Sequence, residues 1–302
     1  MKKITFLVIG AIAPIILRQM CEVFSADRFS FVVHVDRKAN FESYAEGVGE
    51  WGHLSFVDHR YEVFWAGFSM IEATLSLARQ ALRDPESHYF ALISDDTFPL
   101  LSPDSLYRTI LDEKGTWIQS WRIPEDHLFQ QRYNKYFFLD SRFTTPRWFP
   151  TEERSFSEHD RIELLELEIL KSRGKKKLSG LYAGKQWWVL NRNELTSIIE
   201  LDRTDEHLRQ SFRFSAVTDE IYIQTLFKML FPDSKHLGNP MLDDFSRDPK
   251  PYVFSSWKDI SLMLSNIQTV KESGAADGQE HLFLRKIAPS GSDVVQMLTD
   301  SW

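Results

Sequence analysis

Apolar positions along the chain fall into short blocks separated by amphipathic stretches. Ile4–Ile9 is continuously apolar except for Thr5 and reads as a buried first strand. The longer run to Leu17 is too short for the roughly 20 residues that cross a bilayer. Pro14 interrupts it and Arg18 ends it. It also lacks a clear cleavage site, so a strand is preferred to a signal peptide. Gly10 opens a turn and Ile15–Phe24 reads as a helix. Phe29–Val35, rich in β-branched and aromatic residues, is a second strand, and Leu54–Val57 a short third. Ser69–Leu82 carries Ile71, Leu75, Ala78 and Leu82 at helical spacing. Tyr89–Ile93 is a fourth strand, running into Ser94, Asp95 and Asp96.

This alternation predicts an α/β fold, Rossmann-like, with a mainly parallel sheet and helices on both faces. Ligands of such sheets gather beyond the carboxyl ends of the strands. His34, Asp36, Ser94, Asp95 and Asp96 all lie at such ends.

The rest is less regular. Trp117–Phe149 is aromatic and Arg-rich. Glu163–Lys171 and Asn193–Leu201 read as helices, and Trp187–Leu190 as a strand. Thr218–Phe231 reads as one helix closed by Pro232. Arg173–Lys177 (RGKKK) reads as a solvated loop, with a phosphate contact as the alternative. Phe245–Pro251 and Glu272–Gln279 read as loops and Asp259–Ser265 as a short helix. Without a repeat or a long linker, the expectation is one domain over residues 1–302.

Composition narrows the classes. With 43% apolar and 26% charged residues the 302-residue chain is neither disordered nor a multi-span membrane protein. A net charge of −7 offers no basic field for nucleic acid. The single cysteine, Cys21, excludes an internal disulfide and a Cys-based zinc site, so a reducing compartment is expected. Nine Trp and 23 Phe serve a core first, although their faces also suit sugar rings. G-x-G-x-x-G, P-loop, H-E-x-x-H and G-x-S-x-G motifs are all absent.

Three features remain. Asp219-Glu220 opens the Thr218–Phe231 helix with Thr218 as N-cap, where the helix dipole would keep both carboxylates ionised. They cap the helix, or Glu220 points into a cleft as a general base. Arg247, Lys250, Arg285 and Lys286 could neutralise a pyrophosphate or simply solvate a surface. Gly184-Lys185-Gln186-Trp187-Trp188 suits either a sugar-binding wall or a buried strand.

Six ordered blocks then carry a resemblance. They are Val33–Ala39 (VHVDRKA), Phe64–Thr74 (FWAGFSMIEAT), Leu92–Leu100 (LISDDTFPL), Gly184–Leu190 (GKQWWVL), Thr218–Glu220 (TDE) and His281–Lys286 (HLFLRK). Together, from about residue 4 to 288, they resemble the core-2/I-branching β-1,6-N-acetylglucosaminyltransferase family, which also holds the peptide xylosyltransferases. The resemblance implies a GT-A glycosyltransferase fold. It would have a nucleotide-sugar-binding half at 1–115 and an acceptor-binding, catalytic half at 116–302. It implies an inverting transfer from a UDP-sugar to a glycan hydroxyl, with Glu220 as base. It also implies that no cofactor or metal is required, because basic side chains hold the diphosphate. Lys286 matches one of them; Lys250, with Arg247 as substitute, matches the other, and Arg285 adjoins. His34 and Asp36 match the nucleotide end of the site, and Trp187 and Trp188 an acceptor-side wall. Arg132 is a candidate acceptor contact, and Asp219 borders the substrate.

Asp95-Asp96 departs from the family pattern. The pair could bind substrate or, like the D-x-D motif of other GT-A enzymes, Mn²⁺ or Mg²⁺. Animal members carry a membrane anchor and disulfides. The expectation here is a bacterial-type, cytoplasmic member in surface polysaccharide synthesis, acting on a glycan or lipid-linked glycan, with peripheral contact at the inner face of the membrane. A glycoside hydrolase using Asp219 or Glu220 with Asp95 or Asp243 is the enzymatic alternative. A non-catalytic glycan-binding protein is the other.

Overall fold

The computed structural model describes residues 2–112, 115–140, 158–243, 281–289 and 292–302. The first third alternates as expected: β1 (Lys3–Gly10), α1 (Pro14–Val23), β2 (Phe29–Val35), α2 (Phe41–Val48), β3 (Leu54–Phe56), α3 (Ser69–Ala81) and β4 (Ser87–Ser94). Then come β5 (Phe98–Pro99), α4 (Pro103–Asp112), β6 (Trp117–Ile118), β7 (Trp121–Arg122), α5 (Leu128–Asn134) and α6 (Glu158–Arg173). β8 (Tyr182–Ala183), β9 (Trp188–Asn191), α7 (Arg192–Thr204) and α8 (Glu206–Arg213) follow. A 3-10 turn (Thr218–Glu220) precedes α9 (Tyr222–Leu230), β10 (Met241–Asp243), β11 (Phe283–Arg285) and α10 (Ser292–Asp300).

The central sheet has the order β3-β2-β1-β4-β9-β6. Its first four strands are parallel, and β9 is antiparallel to both β4 and β6. With this strand order, the usual right-handed crossover rule puts α1 and α2 on one face and α3 on the other. Contacts agree: α1 packs on α2 and α10, while α3 packs on β1, β2, β4 and α7. The protein is thus a mixed α/β structure with a mostly parallel sheet. No described helix is long and apolar enough to cross a membrane.

Register aligns the strand ends. Ile9 sits opposite His34 on β2 and opposite Ser94 on β4. Gly10, Asp36 and Asp95 therefore emerge along one edge. A separate three-stranded sheet, β10-β11-β5, forms beside it, with β11 antiparallel to β5. That pairing carries Arg285 back to Asp96.

Most of the aromatic excess is core. Phe6 packs against Phe24, Phe29, Phe31 and Phe283, and Trp302 stacks on Phe98. A second, polar core ties the helices. Buried Asp202 on α7 takes Arg79 of α3 at 2.8 Å, Arg209 of α8 at 2.9 Å and the Tyr222 hydroxyl of α9 at 2.8 Å. Arg209 also pairs with Glu72. Partnered this way, the charges hold α3, α7, α8 and α9 in one arrangement.

Several expectations change. Helices α2, α4, α5, α8 and α10 were not anticipated. α2 and α8 are short and begin at side-chain caps, Asn40 on Ser43 N–H and Asp205 on Leu208 N–H. The Thr218–Phe231 helix is split at Ile221 into the 3-10 turn and α9. The RGKKK run is solvated only in part, at Arg173 and Lys177. Gly174 turns the chain at φ 78°, and the Lys175 ammonium is carried inward to the Phe214 carbonyl and Ser215 Oγ. The rings of Tyr133 and Tyr136 lie about it. Burial lowers the Lys175 pKa to about 7.

This depressed pKa fixes a pH dependence. Between pH 7 and 10.5 the unfolded chain holds the Lys175 proton and the folded chain does not, so stability rises with pH in that window. Lys175→Met removes the term. Urea titrations at pH 7 and pH 10 should show the parent gaining stability relative to the variant; parallel pH profiles would contradict this.

Candidate active site

The turn after β1 is built around a carboxylate. Asp95 Oδ2 accepts the N–H groups of Ala11, Ile12 and Ala13 at 2.8, 2.9 and 2.9 Å, and the Tyr44 hydroxyl at 3.1 Å. These donors form the kind of nest at a helix start that binds phosphate in other α/β proteins. Here the protein's own carboxylate fills it. Burial raises the Asp95 pKa, opposed by the three N–H donors. A side chain at Gly10 would collide with Tyr44 Oη. Asp95 is therefore a structural anchor rather than a substrate or metal ligand.

His34 and Asp36 also face inward. His34 is fully buried and its Nε2 accepts the Tyr61 N–H at 2.8 Å. Burial lowers its pKa to about 4, so the ring is neutral at pH 7. Asp36 Oδ1 accepts the Lys38 N–H at 2.9 Å, and its Oδ2 pairs with Lys38 Nζ at 2.9 Å. Both residues shape the turn after β2 and the 61–63 segment. Direct nucleotide contact by His34, as expected from the sequence, does not fit its burial.

Asp96 stands apart from Asp95. Its Oδ1 binds Ser94 Oγ and the Arg285 Nε at 3.2 Å, and Arg285 Nε also reaches Ser94 Oγ at 2.7 Å. The two carboxylates thus serve different partners and do not converge on one cation. Among the described residues, no group of three or more His, Cys, Asp or Glu could hold a metal ion. The Arg285 guanidinium lies 4.7 Å from the centroid of Trp187. Trp187 is 4% exposed and Trp188 0%. The expected Trp187–Trp188 sugar wall is therefore interior; strand pairing of β9 between β4 and β6 buries it. Among the described residues, the exposed indoles are instead Trp65, at 72%, and Trp121, at 37%.

The 3-10 turn brings Asp219 and Glu220 into this neighbourhood. It is pinned on three sides. Val217 N–H donates to the Ala66 carbonyl at 2.8 Å and Thr218 Oγ1 to the Gly67 carbonyl at 2.9 Å. Gly184 N–H donates to the Glu220 carbonyl at 2.9 Å. Ala66 and Val217, facing each other across the first bond, have φ of 65° and 57°. Left-handed backbone at a β-branched residue is costly and marks a position over-determined by its surroundings. Gly184 is required because a Cβ there would overlap the Gln119 carbonyl. Thr218 thus braces a loop rather than capping α9, whose first residue has no side-chain cap.

The helix dipole does not ionise Asp219 as expected. Its Oδ1 is sealed from solvent and has no hydrogen-bond partner. Burial, with the Glu220 charge beside it, raises the Asp219 pKa to about 7, and Arg132 and Arg285 oppose the rise. The charges of Glu220, Arg132 and Arg285 thus all act on Asp219. Lys286 follows Arg285, part-buried, and Ile287 N–H donates to the Asp96 carbonyl at 2.9 Å. Arg247 and Lys250 lie outside the described residues.

Sequence reasoning missed Asp140. Its carboxylate is buried at the start of α3, accepting the N–H of Phe68 at 2.9 Å and of Ser69 at 3.1 Å. Gly67 lies so close that a Cβ would overlap it. Asp140 thereby fixes the 64–68 loop on which the 3-10 turn rests. No local motif marks it, since it lies 72 residues from Phe68.

Comparison with known proteins gives one family. The profile of the Core-2/I-Branching enzyme family matches residues 4–262. No curated protein matches the chain. Among solved structures, the chain is similar to 4-diphosphocytidyl-2C-methyl-D-erythritolsynthase from Anaerococcus prevotii DSM 20548, with 13% identity and a TM-score of 0.38 over 88% of this chain and 99% of that one. It is also similar to apo mouse xyloside xylosyltransferase 1, with 10% identity and a TM-score of 0.34 over 93% and 97%.

Two outcomes test this geometry. Asp95→Ala strands three backbone N–H groups and a tyrosine hydroxyl, so chemical denaturation should show a loss of about 3 kcal/mol or more. A loss under about 1 kcal/mol would remove Asp95 as the anchor. For Asp219, the folded pKa lies above the unfolded one, so stability is lost as pH rises from about 4 to about 7. Asp219→Asn should be more stable than the parent at pH 8 and lose that advantage near pH 4.

Proposed function

We propose that this chain, which belongs to the Core-2/I-Branching enzyme family and so is a glycosyltransferase, moves a sugar from a UDP-sugar to a hydroxyl of a glycan acceptor with inversion at the anomeric carbon. One observation carries the reading: a pinned turn that holds Glu220 and Asp219 within the electrostatic reach of Arg132 and Arg285.

In this reading Glu220 is the general base. It takes the acceptor proton while the acceptor oxygen attacks C1 from the face opposite the departing diphosphate. One displacement inverts the centre. Charge develops on the diphosphate oxygen as the bond breaks, and cations already in place stabilise it without reorganisation. Arg285 and Lys286 supply this role, with Lys250 or Arg247 as the second contribution. No divalent cation is required. Asp219 holds a proton up to about pH 7, which spares the turn a second negative charge beside the incoming diphosphate. Arg132 reaches the acceptor side. Trp65, exposed on a loop whose neighbours are bonded to the catalytic turn, offers a fixed face to a sugar ring.

The donor sugar is GlcNAc, xylose or a related unit, and the setting a bacterial surface polysaccharide made at the cytoplasmic face of the membrane. The hydrolase pairing through Asp95 is disfavoured. It needs a second carboxylate free to act, whereas Asp95 is engaged by backbone N–H groups; the side chain of Asp243, the other candidate, lies outside the described residues. A glycan-binding protein without turnover would have no use for a base within the electrostatic reach of two guanidinium groups.

Glu220→Gln should lower kcat by about 10²–10⁴ while UDP affinity, read by calorimetry, stays within about twofold. Lys286→Ala should weaken UDP binding by about tenfold or more. Titrating UDP in EDTA and again with Mn²⁺ separates the two diphosphate mechanisms. Binding in EDTA supports the side-chain cations, and binding only with Mn²⁺ rejects them. Failure to bind in either buffer rejects the transferase reading.

A further inference from the structure

A cavity of about 570 Å³ opens between β7 with the residues after it, one side of α5, and the segment 175–181. Its size is that of a small-molecule or sugar site. No step of the proposed transfer uses it. Its walls combine apolar surface, from Ile123 and Leu181, with the ring of Tyr133. Its charge is one-sided: Arg122, Lys175, Lys176 and Lys177 against Glu125. In a chain of net charge −7 this is a local reversal of sign.

The cations divide by what they already do. Lys176 is paired with Asp205. The Lys175 ammonium is turned to the Phe214 carbonyl and Ser215 Oγ. Arg122 donates through Nη2 to the Ser179 carbonyl at 3.2 Å, which orients the guanidinium and leaves its Nη1 edge for a ligand. Lys177 is exposed and makes no ion pair with a described residue. Tyr133 is fixed by its hydroxyl, which donates to the Lys176 carbonyl at 2.7 Å.

The cavity is coupled to the catalytic turn by shared elements. α5 contributes Tyr133 to the cavity and Arg132 to the electrostatics of Asp219. β7 pairs with β8, and Gly184, next after β8, bonds the Glu220 carbonyl. The cavity is thus built on the same elements that carry Arg132 and brace Glu220.

We infer that this cavity is an acceptor subsite for an acidic sugar unit, whose carboxylate or phosphate is held by Arg122 and Lys177. The inference rests on the acceptor-glycan reading above. A planar carboxylate or a phosphate suits a fixed guanidinium edge, and Lys177 adds a mobile point charge.

The test is calorimetry with three probes: a tetrasaccharide of alternating glucuronic acid and N-acetylglucosamine, glucose 6-phosphate, and neutral chitotetraose. At least one acidic probe should bind about tenfold more tightly than chitotetraose. The first distinguishes a uronate as the unit and the second a phosphosugar. The double variant Arg122→Gln, Lys177→Gln should remove that preference, with UDP affinity and the thermal transition unchanged. Equal affinity for acidic and neutral probes, binding of none of them, or a preference that survives the double variant would overturn the subsite. UDP titration of the same preparation reads the transferase proposal independently, so a parent that binds UDP but shows no acidic preference loses the subsite alone.

Discussion

The carboxylate of Asp95 sets the terms for everything around it. Three backbone N–H groups at the start of α1 converge on it, and a tyrosine hydroxyl closes the shell. Such donors are a natural seat for a phosphate. With an internal anion in that seat, any substrate charge must be met elsewhere along the strand ends. The structure places its cations on the other side of β4, where Arg285 arrives from the small β10-β11-β5 sheet. The division is physical: one anion site is used for folding, and the Arg285 charge, already paired with Asp96, acts on Asp219.

Positioning of that pair depends on long-range bracing rather than helix geometry. The turn borrows hydrogen bonds from the 66–67 loop and from Gly184, and the loop in turn rests on Asp140. Left-handed backbone at both Ala66 and Val217 is tolerated because these contacts over-determine it. Behind the turn, the Asp202 network locks α9 to α3, α7 and α8. The carboxylates thus sit on a rigid support, as a general base must if it is to meet a hydroxyl at hydrogen-bond distance.

Burial explains most of the residues whose role differs from first expectation. Trp187 and Trp188 read equally well as a sugar wall or a strand, and pairing of β9 between β4 and β6 decides for the strand. His34 at a strand end suggests ligand contact, yet its ring nitrogen is used by the Tyr61 N–H. Lys175 in a basic run suggests solvent, yet aromatic rings and a carbonyl enclose it. In each case residue type was informative and direction was not.

The sequence by itself determined the first four strands and the helices α1 and α3, because a continuous apolar run or a 3.6-residue period records burial locally. It also determined the family, through blocks whose order spans the chain, and singled out Glu220, Asp219, Arg285 and Lys286. Tertiary structure alone decided the antiparallel β9, the break of the Thr218–Phe231 segment at Ile221, the capture of Asp95 by the α1 N-terminus, and the meeting of Arg285 with Asp96 across 189 residues. A periodicity reports which residues are buried. It carries no information on which distant partner buries them, and the charge state of Asp219 depends wholly on that partner.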